Sequence, residues 1–262
     1  MPENDLRLLH EAAQVAGEIA ARHFGQGVRR WEKGGGQGPV TEADLEIDAM
    51  LRKRLLAARP RYGWLSEETA DSPARLDCAS VFVVDPIDGT RAFIDGQKSF
   101  AHALAVVRDG QPVAAVVHLP LMDLTYGAAL GGGAWLNGRR LAVPLRRGLE
   151  GARVLAARPM LAPELWPGGV PPVERHFRPS LAWRLALVAE GAFDAMLTLR
   201  KTWDWDIAAA ALIAREAGAV VSDRHGAEPV FAGLDPRNDG IVAAGPGVHA
   251  DLMGRLGPPA VA

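Results

Sequence analysis

The sequence predicts an α+β protein built from two lobes packed as layers, and three observations support that fold class. Apolar residues at helical spacing alternate with short strand-like runs in both halves of the chain. An Asp-Gly pair at 109–110 and an Asn-Gly pair at 137–138 are strong hairpin signals and predict an antiparallel sheet. Beyond about residue 145 helices begin to separate single strands. We therefore expect an N-terminal α+β lobe, residues 1–145, and a C-terminal α/β lobe, residues 146–262.

The first lobe opens with a predicted helix over residues 5–24, which Gly25 ends. The glycine-rich segment 25–38 predicts an irregular, mobile loop that carries Lys33. A second helix is expected to begin at Thr41, with its apolar side chains turned inward. Strands are expected over 81–84, 101–107, 112–119 and about 125–130.

The second lobe alternates strands and helices. Ser180 is the expected N-cap of a helix that runs to Gly191, and Gly218 ends an alanine-rich helix that follows Asp206. The surroundings of Pro171-Pro172 predict an irregular connection. Strands are expected over 153–157, 194–199 and 241–244, and a short helix closes the chain.

Composition excludes several classes of protein. The chain has 262 residues, 48% of them hydrophobic and 23% charged, and a net charge of −2, which gives no basic surface for a nucleic-acid polymer. The single Cys78 excludes a disulfide framework, and no apolar run is long enough to span a bilayer. We expect a cytoplasmic protein without an integral membrane segment.

Carboxylates recur at the boundaries of the predicted elements, each time after an apolar or aromatic lead. Hard divalent cations such as Mg²⁺ prefer oxygen ligands, and carboxylates collected from several loops onto one point make such a site. The carbonyl of Ile87, exposed by the turn at Pro86, is a further candidate ligand. The carboxylates are Asp44, Glu67 and Glu68, Asp85 and Asp88, and Asp204 and Asp206.

Each carboxylate also has a structural interpretation. Asp88 or Thr90 would cap a short helix after the strand, Asp44 would complete a capping box with Thr41, and Asp206 would cap the alanine-rich helix. Glu67 and Glu68 would be solvated loop charges. These interpretations do not explain why Gly89 and Thr90 also provide a place where backbone N–H groups and a hydroxyl meet an anion.

Together these motifs resemble the inositol monophosphatase superfamily of Mg²⁺-dependent, lithium-sensitive phosphatases. The matching segments are "PVTEAD" (39–44) with Lys33 before it, "SEE" (66–68), "DPIDGT" (85–90) and the "WD" at 205–206. The resemblance implies a layered αβαβα sandwich, often a homodimer. A haloacid-dehalogenase phosphatase also has a D…DGT signature, but one residue separates its aspartates, whereas Pro86 and Ile87 separate them here.

The resemblance also implies residue roles. Glu67, Asp85 and the Ile87 carbonyl would bind a first metal ion, Asp85, Asp88 and Asp206 a second, and Glu67 with waters near Asp44 a third. Asp88, Gly89 and Thr90 would bind the phosphate. Thr90, with Asp44 behind it, would orient and deprotonate the attacking water, and Glu67 completes the catalytic set.

The substrate is predicted from the segment before Asp206. Inositol monophosphatases carry a sugar-binding Glu seven residues before this aspartate, where Leu199 stands here. Arg200 and Lys201 would instead bind a second phosphate, and Trp203 or Trp205 would stack on a base. The favoured substrate is therefore 3′-phosphoadenosine 5′-phosphate, as in the bacterial 3′(2′),5′-bisphosphate nucleotidases.

Other interpretations stay open at this point. Both tryptophans would be core residues and both cations solvated if the segment has no substrate role. Inositol 1-phosphate and histidinol phosphate are the alternative substrates. A non-catalytic regulator that binds metal and nucleotide would be expected to lack a metal ligand, and every expected carboxylate is present.

Overall fold

The computed structural model describes residues 2–34, 38–146 and 148–256. Among these residues, none of the helices combines the length and the apolar character needed to cross a bilayer. The described helices are α1 (Pro2–His23), α2 (Glu42–Ala58), α3 (Thr90–Ile94), α4 (Leu181–Ala189), α5 (Asp204–Glu216) and α6 (Pro246–Leu256).

A seven-stranded sheet follows the chain in simple order, because tight turns connect most of its neighbouring strands. Only its first pair, β3 with β4, is parallel, and the other pairs are antiparallel. The predicted hairpins are confirmed: Asp109-Gly110 and Asn137-Gly138 all have positive φ, as such turns require. The strands are β3 (Gly63–Ser66), β4 (Val81–Asp88), β5 (Ala101–Arg108), β6 (Gln111–Leu119), β7 (Leu124–Ala129), β8 (Gly133–Leu136) and β9 (Arg139–Arg140).

A five-stranded mixed sheet is built from the second half of the chain, in the order β11-β10-β12-β16-β14. Two short two-stranded pairs, β1 with β2 and β13 with β15, stand apart from the large sheets. The remaining strands are β1 (Arg30–Lys33), β2 (Gly38–Thr41), β10 (Ala152–Leu155), β11 (Val173–His176), β12 (Ala195–Thr198), β13 (Thr202–Trp203), β14 (Val220–Ser222), β15 (Arg237–Asn238) and β16 (Ile241–Ala244).

The layers stack in the order expected for an αβαβα sandwich. Helices α1 and α2 cover one face of the seven-stranded sheet, with Leu9 and Leu51 buried against Phe82. Helices α4 and α5 fill the space between the two sheets, and α6 covers the outer face of the five-stranded sheet. Each large apolar side chain buried in this way contributes about 1.5–3 kcal/mol relative to exposure, so the layer order is strongly specified. The α+β sandwich predicted from the sequence is confirmed.

The structure differs from the sequence prediction in several segments, including the unpredicted pair of β13 with β15. Arg30–Lys33 and Gly38–Thr41 pair as an antiparallel hairpin, although glycine content predicted an irregular loop there. Residues 35–37 of that loop lie outside the described residues. Strand β3 was not predicted, and strand β11 lies just after Pro171-Pro172, where only a connection was expected. No strand of either large sheet crosses residue 145 within the described chain, and the division into lobes at that point remains a prediction.

Candidate metal and phosphate site

Three carboxylates converge at the end of β4. The pairing of β4 with β5 shifts register between Asp85 and Asp88, and this bulge turns both side chains toward the first turn of α5. One oxygen from each of Asp85, Asp88 and Asp206 lies within 4.8 Å of the others. The fold therefore brings Asp206 next to Asp85 and Asp88, more than a hundred residues away in sequence, as the motifs predicted.

The charges at this point repel one another. Burial raises the pKa of Asp85 well above its usual range, and the charges of Glu67, Asp88 and Asp206 raise it further. Burial and the charges of Asp88 and Glu67 likewise raise the pKa of Asp206. Like charges held together in a buried place are costly unless a cation compensates them.

The donor set fits a divalent cation. The Oδ1 atom of Asp85 and the Oδ1 atom of Asp44 are buried without a hydrogen-bond partner among the described residues. A buried carboxylate oxygen without a partner is unusual, and a metal ion satisfies it directly or through a bound water. Asp85, Asp88 and Asp206 are the residues that would hold it.

Asp88 stabilises a helix, but not the one that follows it. Its Oδ2 atom accepts hydrogen bonds from Ser180 Oγ and from the Ala182 backbone N–H, both at 2.6 Å, at the start of α4. The N-cap of α3 is Gly89, with no side-chain cap. Ser180 is confirmed as the N-cap of α4, since its side chain accepts from the Trp183 N–H. Asp88 thus connects the carboxylates at the end of β4 to helix α4, which lies between the two sheets.

Asp206 does not cap α5, so that structural interpretation is wrong. Helix α5 begins at Asp204 and its N-cap is Trp203, which places Asp206 inside the first turn. Asp204 has a separate structural role: it accepts from the Ala232 N–H at 2.7 Å and from Asn238 Nδ2 at 2.9 Å. Burial raises the pKa of Asp204 to about 7.

Glu67 and Glu68 share one cation. Lys33 Nζ donates to Glu67 at 2.7 Å and to Glu68 at 2.6 Å, so neither carboxylate is a solvated loop charge. Burial alone would lower the pKa of Lys33, but the two carboxylates outweigh it and the pKa is raised. Glu67 lies in the wall of the same cavity as Asp88 and Asp206. Glu68 is more buried, and burial raises its pKa to about 7.

Asp44 and Thr90 were predicted to act together on a water. Asp44 completes the capping box of α2: its Oδ2 atom accepts from the Thr41 backbone N–H at 2.8 Å, and the Thr41 side chain accepts from the Asp44 N–H. Burial raises the pKa of Asp44 to about 6. Thr90 Oγ1 donates to the Ile87 carbonyl at 3.1 Å. No hydrogen bond joins Thr90 to Asp44 within the described chain, and their pairing remains a prediction.

Gly89 and Thr90 open onto a large cavity beside the acidic residues. Gly89 has φ of 103°, a left-handed conformation that favours glycine, and it brings the chain from the bulge of β4 directly into α3. The cavity has a volume of about 630 Å³, which is within the range of small-molecule sites. Glu67, Asp88, Gly89, Thr90 and Asp206 all line it.

Sequence reasoning missed two cations in this cavity, Arg91 next to Thr90 and Arg184. Arg184 lies on α4, is 8% exposed, and lines the cavity together with Arg200. The signal that would have found it is a single charged residue in the apolar run "SLAWRLALVA". Lys201 instead lines a neighbouring cavity of about 290 Å³, and its Nζ lies 3.8 Å from Asp235.

The side chain that faces the large cavity on β12 is Thr198, not Leu199. Successive side chains of a strand alternate between its faces. Leu197 and Leu199 are buried in the core under α6, whereas Thr198 lines the cavity. Counting back seven residues from Asp206 therefore selected a core position. Neither residue carries a carboxylate.

The two tryptophans stack on each other. The Trp203 and Trp205 rings are 4.6 Å apart with an interplanar angle of 9°, and the Arg237 guanidinium lies 5.2 Å from the Trp203 ring. Trp205 stacks on Trp203 and also packs against the core between the two sheets, and its substrate contact remains a prediction. Both line the 290 Å³ cavity together with Glu67 and Asp206.

His102 is a second residue that sequence reasoning passed over. It is fully buried on β5, and its Nδ1 atom is hydrogen-bonded to the Pro86 carbonyl inside the bulge of β4. Burial lowers its pKa to about 3, so the ring is neutral and Nδ1 donates to the carbonyl. His102 therefore fixes the backbone between Asp85 and Asp88. A lone histidine in an apolar strand, "AHALAVV", gave no signal of this role.

Comparison with known proteins agrees with this geometry. The model of the inositol monophosphatase family matches residues 1–256. An inositol-1-monophosphatase of Rhizobium meliloti is 38% identical over 241 residues, which cover 87% of this chain and 89% of that protein. A 3′(2′),5′-bisphosphate nucleotidase CysQ of Aggregatibacter actinomycetemcomitans is 31% identical over 204 residues, covering 71% and 72%.

A solved structure shows the same fold. The extragenic suppressor protein suhB from Bartonella henselae superposes with a TM-score of 0.83 and 29% identity, covering 98% of this chain and 100% of that one. The chain belongs to the inositol monophosphatase family, whose members are metal-dependent phosphatases of small phosphate esters. It is a phosphoric monoester hydrolase by that membership.

Proposed function

We propose that this enzyme is a Mg²⁺-dependent phosphomonoesterase that prefers 3′-phosphoadenosine 5′-phosphate and releases AMP and phosphate. The observation that carries the proposal is one cavity that combines two kinds of group. Asp88 and Asp206, from the three-carboxylate cluster, line it beside Gly89 and Thr90, and Arg184 and Arg200 lie in the same walls.

The metal ions would be held by the carboxylates named above. Glu67, Asp85 and the Ile87 carbonyl form the first ligand set, and Asp85, Asp88 and Asp206 the second, with Glu67 and Asp44 near a third. Bound Mg²⁺ supplies a water of lowered pKa and stabilisation of the leaving alkoxide. A carbonyl oxygen has two lone pairs, so Ile87 can accept from Thr90 and still serve as a ligand.

The other residues bind and orient. The backbone N–H groups at Gly89 and Thr90 would hold phosphate oxygens, and Asp88 would hold a metal ion at the phosphate site. The Thr90 hydroxyl orients the attacking water, and the buried Asp44 carboxylate receives its proton, a role that suits a carboxyl whose pKa burial raises to about 6. Glu67, paired with Lys33, lies in the wall of the same cavity.

The test is phosphate release from a panel of 3′-phosphoadenosine 5′-phosphate, inositol 1-phosphate and histidinol phosphate with Mg²⁺ present. We expect the first to have the highest kcat/KM, because two cavity cations suit a second phosphate and Thr198 offers no carboxylate to sugar hydroxyls. A chelator should abolish activity, and Ca²⁺ and Li⁺ should inhibit it. Full activity without metal would contradict the proposal.

Inositol 1-phosphate is the second candidate substrate, and the 38% identical Rhizobium meliloti inositol-1-monophosphatase favours it. A higher kcat/KM for inositol 1-phosphate in the same panel would decide for this candidate. Binding of the bisphosphate without hydrolysis of any ester would instead favour a non-catalytic regulator. A cytoplasmic location and a homodimer remain predictions that fractionation and sedimentation would test.

A further inference from the structure

Arg184 is held in one orientation before any ligand arrives. Its Nε donates to the Arg178 carbonyl, and its Nη2 donates to the Pro179 carbonyl at 3.1 Å. The Phe177 ring covers the guanidinium, with its centroid 4.4 Å from Cζ. These contacts use one face and two nitrogens of the group, so Nη1 is the nitrogen that they leave for a ligand in the cavity.

This fixed guanidinium has no carboxylate of its own within ion-pair distance in the described part of the chain. It does feel the charges of Asp88, Arg200 and Asp206, which places it near the acidic cluster and the second cation. A buried cation without a paired anion is costly, and an anionic ligand is the group that compensates it. The second cation, Arg200, is exposed and lines the same cavity.

We propose that Phe177, Arg184 and Arg200 form a subsite, here called the cationic wall, for a second anionic group of the substrate. This inference rests on the proposed function, because it assumes that the reacting phosphate binds at Gly89 and Thr90. All five residues line one cavity, so a single small molecule reaches both ends. The Nη1 group of Arg184 suits a charge-assisted hydrogen bond to a phosphate oxygen.

The geometry favours this pair of arginines over Arg200 with Lys201, the pair that sequence order suggested. Lys201 lies in the smaller cavity, whose lining does not include Gly89 or Thr90. Its side chain is 61% exposed and has Asp235 as a partner. A solvated lysine with a carboxylate beside it contributes less to anion binding than a buried, fixed guanidinium.

A matched substrate pair isolates the subsite: 3′-phosphoadenosine 5′-phosphate and 3′-AMP, which lacks only the second phosphate. For the native enzyme we expect kcat/KM to be about 10- to 100-fold higher for the bisphosphate, the range of a charge-assisted contact. In Arg184→Gln the ratio of kcat/KM for the bisphosphate to that for 3′-AMP should fall toward unity, because KM for the bisphosphate rises. Damage to the fold would lower kcat/KM for both substrates equally. The ratio of the two values therefore stays informative even in a variant with reduced activity.

The control variant is Arg158→Gln, which removes an exposed cation next to the cavity-lining residues Ala157 and Pro159. It should keep the native ratio. A ratio near unity in the native enzyme would overturn the inference while hydrolysis of both esters upheld the proposed reaction. A ratio lost in Lys201→Ala but kept in Arg184→Gln would also overturn it.

A binding measurement tests the subsite even if the protein hydrolyses neither ester. Titration calorimetry with Ca²⁺ in place of Mg²⁺ measures both nucleotides without turnover. A preference for the bisphosphate that Arg184→Gln removes would support the subsite even if the proposed reaction failed. Equal affinity of the native protein for both nucleotides would contradict the subsite.

Discussion

Two groups of residues at one cavity contrast in how they are built. One is the acidic edge, which we define as Glu67, Asp85, Asp88 and Asp206, and the other is the cationic wall. The acidic edge collects charges that repel one another, whereas the wall holds a guanidinium against an aromatic ring and two carbonyls. The acidic edge needs a bound cation to offset its repulsion, whereas the Arg184 guanidinium of the cationic wall is held in place without a ligand.

This difference shows that separate secondary-structure elements supply the negative charge and the preorganised guanidinium. Strand β4 and the start of α5 carry the acidic edge, and α4 with the turn before it carries the wall. Asp88 joins the two groups, because its carboxylate accepts from Ser180 and Ala182 at the start of α4. The experiments below ask how far each group depends on the other.

The largest effect is expected from removing charge at the acidic edge. Asp85→Asn and Asp206→Asn should each lower kcat with Mg²⁺ by several orders of magnitude, because both residues belong to the proposed ligand sets. The fold should persist, since each change relieves repulsion in the metal-free protein. Steady-state kinetics and circular dichroism measure the two outcomes. A variant that unfolds would show that its aspartate has a structural role instead.

The acidic edge was largely predictable, for two reasons. Asp85 and Asp88 are neighbours in sequence, so one turn fixes their relative positions, whereas Glu67 and Asp206 were grouped with them by the family resemblance. The capping box at Thr41 was predictable for the first of these reasons. The layer order followed from the family resemblance together with the spacing of apolar residues.

The cationic wall was predictable only in part: the lone charge in "SLAWRLALVA" marks Arg184, but tertiary packing creates its surroundings. Nothing in the sequence near Arg184 says that Phe177 will lie over its guanidinium. Thr198 and Leu199 show the same limit at the scale of one residue: a shift of one along a strand exchanges a cavity position for a core position. His102 acts on β4 from the next strand, a contact visible only once the register is known.

A medium effect is expected in how pH changes the stability of the metal-free protein. The pKa values of Asp85, Asp88 and Asp206 are raised, and burial raises those of Asp44 to about 6 and Glu68 to about 7. The folded state therefore binds more protons than the unfolded chain, so their contribution to stability is fully present below the unfolded pKa values and is lost as pH rises through the folded pKa values.

Urea unfolding at pH 5 and pH 8 in the presence of a chelator measures this effect. The urea midpoint of the native protein should be lower at pH 8 than at pH 5. The midpoint of Asp85→Asn should fall less between the same two pH values. Comparison with the variant cancels the buried histidines, whose lowered pKa values act in the opposite direction. Mg²⁺ should reduce the loss in the native protein. An identical pH response in the variant would contradict the proposed repulsion.

The smallest effect is expected at Glu68, next to a member of the acidic edge. Glu67→Gln should lower kcat strongly, because Glu67 lines both cavities beside Asp206. Glu68→Gln should cost less than about 5-fold, the value of a weak ion pair, because Lys33 keeps Glu67 as its partner. The measurement is kcat/KM of the two variants at saturating Mg²⁺. Equal losses for both variants would show that the metal ligand has been assigned to the wrong glutamate, and the acidic edge would then have to be drawn through Glu68.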